Sequence, residues 1–472
     1  MSRTWTVIGF TGHRTLSDPA RTAALIGTEV SHLQQARPGR LAGVSSIAAG
    51  ADTLFCQAIL ERSMPWLAIL PFAQAEFARD FSSTEWAAVE RLLARAASVQ
   101  VAPPTDEREE GYLEAGLRTV DECDVLLAVW NGEPAAGTGG TAEIVAYARE
   151  IGRPVIWIHS ETGAVVRESL DRLPPAEPAP DGPEPGGRDS IEAYFQSCDA
   201  AALRHAPAAR SITAVVILLH VVASAVGVLG LMAGLIGGPA YAVAGFKMAC
   251  LGLSLWLLFR HRRAHQAWMH TRISAELCRS ALATWHHPDP ECEFPKPRVA
   301  GFERLQRTIR LERLAMPRPP VRLEDALNEY LEHRVRDQSR YFAAQLSRVA
   351  PRHRWLRTAA STCTIAAMIL GVVVLGLGFV DVPGAILATT KGLSLTLPLL
   401  NAALLSFVVA NDLGRRASRY DEMVRTLDAI GVRLQRARSW ASLERLATET
   451  ETALIHEALE WHSVSRFASR SH

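Results

Sequence analysis

Short apolar runs alternate with helix-patterned stretches over residues 1–165 of the chain. The runs predict β-strands at Thr4–Thr11, Leu41–Ala48, Trp66–Leu70, Ser98–Val101, Val125–Trp130 and Pro154–His159. The stretches between them predict helices at Ala20–Gln35, Ala51–Arg62, Phe77–Ala97, Glu110–Glu122 and Thr141–Ile151. Strands that alternate with helices predict an α/β domain, a doubly wound parallel sheet with helices on both faces.

Two very apolar regions follow, at Ser211–Phe259 and Leu356–Ala410. Each is too long for one membrane crossing of about 20 residues and suits two crossings joined by a tight turn. The turns are "IGGPAY" and "FVDVPG". Buried core helices are the alternative, but the length and apolar character favour four transmembrane helices in two hairpins, an all-α membrane region.

Basic residues flank both predicted hairpins, whereas the two tips carry no arginine or lysine. The flanking clusters include Arg204, Arg210, "RHRR" at 260–263, Arg352, Arg354, Arg357, Arg415, Arg416 and Arg419. Because positive loops stay in the cytoplasm, we expect a multi-pass protein of the inner (cytoplasmic) membrane with both termini cytoplasmic.

The chain divides by composition into six parts. They are an α/β domain at 1–165, a Pro/Gly-rich linker at 166–190, a first hairpin unit at 191–263, a cytoplasmic helical region at 264–340, a second hairpin unit at 341–416 and a helical tail at 417–472. The charged stretch Leu323–Val349 has the pattern of a solvated or self-associating helix. "AYFQSCDAAALRHAPAARS" and "RYFAAQLSRVAPRHRWLRT" precede the two hairpins in similar fashion, which suggests an internal duplication.

Net charge and cysteines narrow the class of protein. The formal net charge is +1, so no basic field indicates a nucleic-acid partner. The seven cysteines are scattered without a CxxC pair, which argues against a metal site or a disulfide framework and fits a reducing compartment. The apolar part of the amino-terminal sequence is too short for a signal peptide.

Unusual residues come where the predicted strands end. "GFTGHR" follows the first strand, "AAGAD" the second, "PF" the third and "WNGEPAAGTGGTAE" the strand at 125–130. Glycine lets backbone amides approach a phosphate, and a helix amino terminus adds positive potential. Ligands of such sheets bind at the carboxyl ends of the strands. The predicted ligand-binding residues are Gly12, His13, Arg14, Gly50, Asp52, Gly137, Gly139, Gly140, Thr141 and Glu143.

Several of these residues have a structural alternative. Arg14 could clamp a phosphate or lie solvated on its turn, and His13 could contact the ligand or donate to a backbone carbonyl. Asp52 could accept a ribose hydroxyl or cap the helix that it begins. Thr141 could bind phosphate, cap its helix or do both.

Other residues with reactive or stacking side chains predict no catalytic centre. Tyr112 and Trp130 could stack on a base, although core packing suits Trp130 better. No Ser-His-Asp arrangement or metal-ligand cluster stands out. The adjacent histidines of "WHHP" point apart on a helix, which disfavours a shared metal.

Together the motifs "GFTGHR", "AAGAD", "LPF", "YLEAGLRTVDECDVLLAVWNG" and "GTGGTAEIV" resemble the SLOG superfamily of Rossmann-like domains, which includes the LOG and Smf/DprA proteins. The membrane part resembles the SLATT hairpin modules associated with SLOG and nucleotide-synthase systems, with "YLEHRVRDQSRYF" similar to their helical lead-in. The resemblance implies a bacterial anti-phage effector whose SLOG domain senses a nucleotide or NAD-derived messenger and whose spans permeabilise the membrane.

The same resemblance implies partners. They are the nucleotide messenger, membrane lipids, further copies in a homo-oligomer and a messenger-producing synthase, with no resident cofactor. Two alternatives stay open: a membrane-anchored nucleotide or NAD hydrolase of LOG type, and a ligand-independent channel or scaffold.

Glu143 bears on the hydrolase alternative. LOG phosphoribohydrolases carry PGGxGTxxE with a catalytic glutamate, whereas "GTGGTAEIV" lacks the proline and places Glu143 one residue short of that spacing. On a helix this shift rotates the side chain by roughly 100°. A binding domain is therefore expected rather than a catalyst.

Polar side chains recur at helical spacing inside the predicted spans. Such groups usually face a bundle interior or water, although hydroxyls also bond between helices. The predicted polar face of the membrane region consists of His220, Lys247, Lys391 and Asn401.

Overall fold

The computed structural model describes residues 5–37, 39–134, 138–173, 186–234, 236–287, 301–316, 320–377 and 383–470. Contacts divide the chain into two units. The first contains Met1–Tyr194 and a later segment, Pro297–Pro320, while the second contains Phe195–Thr284 and Val321–His472. Each unit is described by itself.

The first unit is built on a seven-stranded sheet in the order β4-β3-β2-β1-β5-β6-β7. The strands are β1 Thr6–Gly12, β2 Leu41–Ser45, β3 Trp66–Leu70, β4 Ser98–Val101, β5 Val125–Trp130, β6 Val155–His159 and β7 Val165–Glu168. Strands β1 to β6 are parallel, as the pattern predicts. The seventh strand pairs antiparallel with β6, so the sheet is mixed.

Helices cover both faces of this sheet. They are α1 Pro19–Ala36, α2 Ala51–Glu61, α3 Gln74–Phe77, α4 Ser83–Leu93, α5 Arg108–Glu122 and α6 Thr141–Glu150. One apolar core includes Ile26 of α1 and Phe55 of α2, and another includes Ala115 of α5 and Ile144 of α6. Every residue of β5 is buried, as expected for a parallel strand covered on both sides.

One helix of the first unit comes from far along the chain. Helix α9, Glu303–Ala315, lies in sequence between the two predicted hairpins, yet Leu311 belongs to the core of the sheet. Its buried Glu312 accepts hydrogen bonds from Trp5 Nε1 at 3.0 Å, from Arg40 Nη1 at 2.8 Å and from the Gly187 amide at 2.7 Å.

A second contact anchors α9 at the amino ends of the central strands. Arg307 Nη2 donates to Asp124 Oδ1 at 2.6 Å, and Asp124 Oδ2 accepts from the Val7 amide at 2.9 Å. Asp124 immediately precedes β5, and Val7 lies in β1. Helix α9 is therefore tied to β1 and β5 at the amino ends of these strands. Ligands of such sheets bind at the other end, the carboxyl end.

The second unit is helical. It consists of most of α7 Arg188–Met232, then α8 Gly238–Ala283, α10 Leu323–Tyr330, a π-helical turn at Leu331–Arg336, α11 Asp337–Leu377, α12 Gly384–Ala410, α13 Leu413–Leu434 and α14 Trp440–Arg470. Helices α11 and α12 pack along each other and carry many exposed apolar side chains, such as Val372 and Leu375 at 70% and 71% exposed.

Within the described residues, three helical stretches are long and apolar enough to cross a membrane. They are Gly238–Phe259, Leu323–Leu377 and Thr389–Leu434. The first predicted span corresponds to a shorter apolar stretch, Ala214–Gly230 in α7. The four-span arrangement therefore stays a prediction, while three candidate spans are observed.

The charged stretch Leu323–Val349, whose pattern suggests a solvated or self-associating helix, contains an arginine that is buried within its own unit. Arg334 lies in the π-helical turn and is only 1% exposed. Its guanidinium donates to Glu451 of α14 and to Glu276 of α8. The distance from Arg334 Nη2 to Glu276 Oε1 is 2.7 Å. The acidic partners lie far away in sequence, so helical spacing alone gives no sign of this burial.

Candidate ligand site at the carboxyl edge of the sheet

The sheet reverses its direction of winding between β1 and β5, and open α/β sheets bind ligands at such a point. The loops after these strands meet there. The His13 amide donates to the Val129 carbonyl of β5 at 3.0 Å. The His13 carbonyl in turn accepts from the Ala51 amide of α2 at 3.1 Å. These bonds bring the predicted segments after β1 and β2 to one edge, beside the end of β5.

The glycines of the first two loops permit close packing of chain segments. A Cβ at Gly12 would lie 2.6 Å from the Ala51 Cβ. A Cβ at Gly50 would lie 2.1 Å from the Arg14 carbonyl oxygen, and Gly50 has φ +85°. Both positions require glycine because the turn holding His13 and Arg14 lies directly against the start of α2.

Asp52 is buried, at 2% exposed, in the first turn of α2. Its carboxyl group accepts hydrogen bonds from the Gly12 and Ala48 amides and from its own amide. Burial raises the pKa of Asp52 to about 8, and these amides with Arg14 oppose that shift. Asp52 therefore ties the loops after β1 and β2 to the first turn of α2.

Glu143 binds the glycine loop that precedes α6. Its Oε2 accepts from the Gly139 amide at 2.8 Å, and Gly139 adopts φ +81°. Gly140 is the N-cap of α6 and Thr141 is its first residue. Gly137 lies outside the described residues. As at Asp52, a carboxyl group of the chain accepts a hydrogen bond from a backbone amide that the sequence predicts as a phosphate donor.

Arg14 contacts Tyr112 of α5 instead of lying free on its turn. The guanidinium carbon lies 4.9 Å from the centroid of the Tyr112 ring. A Cβ at Gly139 would lie 3.1 Å from the Tyr112 Cβ, so the glycine loop also contacts this residue. Burial lowers the pKa of the neighbouring His13, and Glu161 opposes that shift. A mainly neutral His13 can accept as well as donate a hydrogen bond near pH 7.

Two residues that the sequence reasoning missed, Asp80 and Arg108, complete this corner together with Phe72 of the "PF" segment. The Tyr112 hydroxyl donates to Asp80 Oδ2, and Arg108 Nη2 donates to the same oxygen at 2.5 Å. The Arg108 guanidinium carbon also lies 4.3 Å from the centroid of Phe72, which follows β3. Burial raises the pKa of Asp80, but hydrogen bonds from Tyr112 and Arg108 outweigh it and bring that pKa below its usual value. We call Arg14, Phe72, Asp80, Arg108 and Tyr112 the Tyr112 cluster.

Trp130 has the core role that was favoured for it. The ring is 8% exposed, its Nε1 donates to the Glu133 carbonyl at 2.7 Å, and it packs against Trp157 at a centroid distance of 5.3 Å. A base has no open face to stack on there.

The polar residues of the membrane region have different surroundings. A Cβ at Gly227 of α7 would lie 3.0 Å from Lys247 Nζ, so this amine lies against α7. His220 Nδ1 lies 2.8 Å from the Val216 carbonyl oxygen. Lys391 is exposed, with its carbonyl accepting from Ser394, whereas Asn401 Oδ1 is buried without a hydrogen-bond partner among the described residues.

Comparison with known families bears on the second half of the chain. Residues 330–461 match the family SLATT_1, described as the SMODS and SLOG-associating 2TM effector domain 1. The match begins at Tyr330 and spans α11 to α13 and most of α14. A comparison with curated proteins gave no match. The second hairpin and the helices after it are thus similar to a two-transmembrane effector domain.

Proposed function

We propose that this protein is a membrane effector of bacterial anti-phage defence that is controlled by a nucleotide-derived messenger. The SLATT_1 match over residues 330–461 carries the proposal, since the family is described as an effector that associates with SMODS and SLOG. A parallel α/β sheet with converging strand-end loops supports SLOG-type sensing in the same chain. The messenger is a nucleotide or an NAD derivative made by a partner synthase.

In this mechanism the messenger binds the carboxyl edge of the sheet and biases the helical unit toward a permeabilising state. The spans lie in the inner membrane with both termini cytoplasmic, and several copies act together. Moving an equilibrium from 1:99 to 99:1 requires about 5.5 kcal/mol of differential binding. One phosphate contact does not supply that easily, so cooperation among the subunits of a homo-oligomer suits the requirement.

The geometry at Glu143 disfavours the hydrolase alternative. Its carboxylate is bonded to the Gly139 amide at 2.8 Å, in the position of a loop cap. A general acid or base has to reach the reacting atoms of the substrate. The ligand-independent channel remains the competing hypothesis. A channel of that kind would conduct in the absence of any ligand, whereas the proposed effector would not.

The test uses the full chain, purified in detergent and also reconstituted in dye-filled vesicles. We expect one class in a panel of mononucleotides, cyclic dinucleotides and NAD derivatives to raise the melting temperature and to start dye release. The same ligand should remain chemically unchanged. Constant dye release without ligand would favour the channel, and conversion of the ligand would favour the hydrolase.

A further inference from the structure

The backbone amides at the candidate site are already engaged by the chain's own carboxylates. Asp52 accepts from the Gly12 and Ala48 amides, and Glu143 accepts from the Gly139 amide. A phosphate placed on these amides would have to compete with both side chains for the same N–H donors. The phosphates of a ligand therefore need another set of donors at the same edge.

The Tyr112 cluster offers those donors. Arg14 follows β1, Phe72 follows β3, and Arg108 and Tyr112 lie in the first two turns of α5 after β4. All of them therefore belong to the carboxyl edge of the sheet. Gly139 also contacts Tyr112, so the cluster adjoins the glycine loop.

Asp80 marks an anion position inside the cluster. One of its oxygens receives hydrogen bonds from the Tyr112 hydroxyl and from Arg108, and the positive charge of Arg14 acts on the same carboxylate. Its side chain is only 19% exposed, whereas that of Arg108 is 40% exposed. One guanidinium and one hydroxyl thus bond this oxygen while a second guanidinium adds positive charge, and groups of these kinds bind phosphate oxygens.

The aromatic rings hold these donors in place. Phe72 and Tyr112 pack edge to face with centroids 5.5 Å apart, and a Cβ at Gly111 would lie 2.5 Å from the Phe72 ring. Arg14 lies on the face of Tyr112, and Arg108 lies on the face of Phe72. Little side-chain ordering is then left for a ligand to impose.

We propose that the Tyr112 cluster is the phosphate-binding part of the ligand site, with Asp80 as a built-in competitor that a ligand phosphate replaces. The incoming phosphate accepts from Arg14, Arg108 and the Tyr112 hydroxyl, and Asp80 turns toward solvent. This inference rests on the proposed function. It assigns the ligand's phosphates to the side-chain donors of the Tyr112 cluster instead of the backbone amides of the glycine loops.

The experiment titrates inorganic pyrophosphate into the full chain in detergent and follows binding by calorimetry. Asp80→Asn keeps the shape and removes the charge at this oxygen, while Glu76 still accepts from Arg108 Nη1 at 3.0 Å, so we expect the affinity to rise by about ten-fold. Tyr112→Phe and Arg14→Ala should weaken binding by roughly ten- to a hundred-fold. Tyr112→Phe retains the ring that packs on Phe72, which separates loss of the hydroxyl from loss of the fold.

Glu168→Gln is the matched control. It frees Arg149, whose Nε and Nη2 bind Glu168 at 2.9 Å and 2.7 Å in the same unit, between α6 and β7. We expect no change in pyrophosphate affinity from it. An equal rise in Glu168→Gln and Asp80→Asn, or no response to Asp80→Asn and Tyr112→Phe, would overturn the proposal, as would absence of binding in both wild type and Asp80→Asn.

The nucleotide panel separates this inference from the proposed function. If a nucleotide stabilises the wild-type chain while the cluster variants leave its affinity unchanged, the phosphate assignment is wrong and the sensing function stands. If no nucleotide in the panel shifts the melting temperature and pyrophosphate does not bind, both fail together.

Discussion

Arg334 donates from Nε to Oε1 of Glu451 at 2.8 Å, and the two side chains are 1% and 0% exposed. Tyr330 donates to the same carboxylate at 2.9 Å, and Glu276 accepts from Arg334. This buried network joins α8, the π-helical turn and α14 within the helical unit.

Removing one charge of the pair should destabilise that unit strongly. Because Arg334→Met would leave the buried carboxylates of Glu451 and Glu276 without its guanidinium, this change is expected to cost about 3–5 kcal/mol. The exposed pair Arg433–Glu449 serves as the control, and Glu449→Gln should cost about 1 kcal/mol or less. Thermal unfolding in detergent measures both, and equal shifts for the buried and exposed pairs would contradict the role of burial.

Gly50 should not tolerate a side chain. At φ +85°, with the Arg14 carbonyl 2.1 Å from the position of a Cβ, Gly50→Ala forces the turn after β1 away from α2. We expect a loss of about 1–3 kcal/mol or more in the first unit. The control is Gly245→Ala in α8, where a Cβ would meet nothing within 4 Å. Limited proteolysis with thermal melting tests this, and two variants of equal stability would refute the packing argument.

Asp52 should make the stability of the first unit depend on pH. Its pKa is about 8 in the fold and about 3.9 in an unfolded chain, so the folded state binds the proton more tightly. That contribution is complete below about pH 4 and is lost as the pH rises toward 8, at no more than about 1.4 kcal/mol per pH unit. Asp52→Asn should flatten melting temperature against pH between pH 5 and 8. An unchanged slope would show that Asp52 is not the linked group.

Glu143→Gln should leave the activity of the effector largely intact. Its side-chain oxygen can still accept from the Gly139 amide, and a sensor requires no acid or base at this position. Glu143→Ala, which removes the acceptor, should loosen the loop and weaken ligand binding by about ten-fold. Dye release from vesicles at saturating ligand is the measurement. If Glu143→Gln abolished dye release while the ligand still bound, the result would support the hydrolase alternative.

The membrane topology should place the hairpin turns outside. We predict that cysteines introduced near Pro239 and Pro383 react with an impermeant thiol reagent in intact cells, because arginines flank both hairpins on the other side. A cysteine near Gly182 should remain unlabelled, and the unsubstituted chain gives the background. Labelling near Gly182 would contradict the prediction and would place this segment outside the cell.

The sequence predicted much of the sheet because its central strands are continuous apolar runs. The predicted bounds of β3, β4 and β5 agree with the structure, and β1 and β2 differ by a few residues. The pattern gave no sign of β7, since Val165–Glu168 is a short edge strand with two exposed residues.

The site was predictable only at the level of its loops. Glycines and charged residues after apolar runs identify the edge. Loop contacts bring His13 to β5, Ala51 to His13 and Gly139 to α5. The pairing of Asp52 and Glu143 with loop amides depends on three-dimensional packing that spacing does not report. Asp80 was missed because its partners, Arg108 and Tyr112, are about thirty positions away.

Helix α9 limits how freely the two halves of such a protein can be recombined. Its Glu312 and Arg307 bind residues of the sheet unit, yet the helix is encoded between the two predicted hairpins and before the SLATT_1 match at residue 330. A fusion that joined residues 1–173 to another effector would leave the Trp5 indole, Arg40 and Asp124 without their partners. An exchange of the sheet unit must therefore carry two separate stretches of the gene, and any preparation of that unit by itself must include residues 301–316.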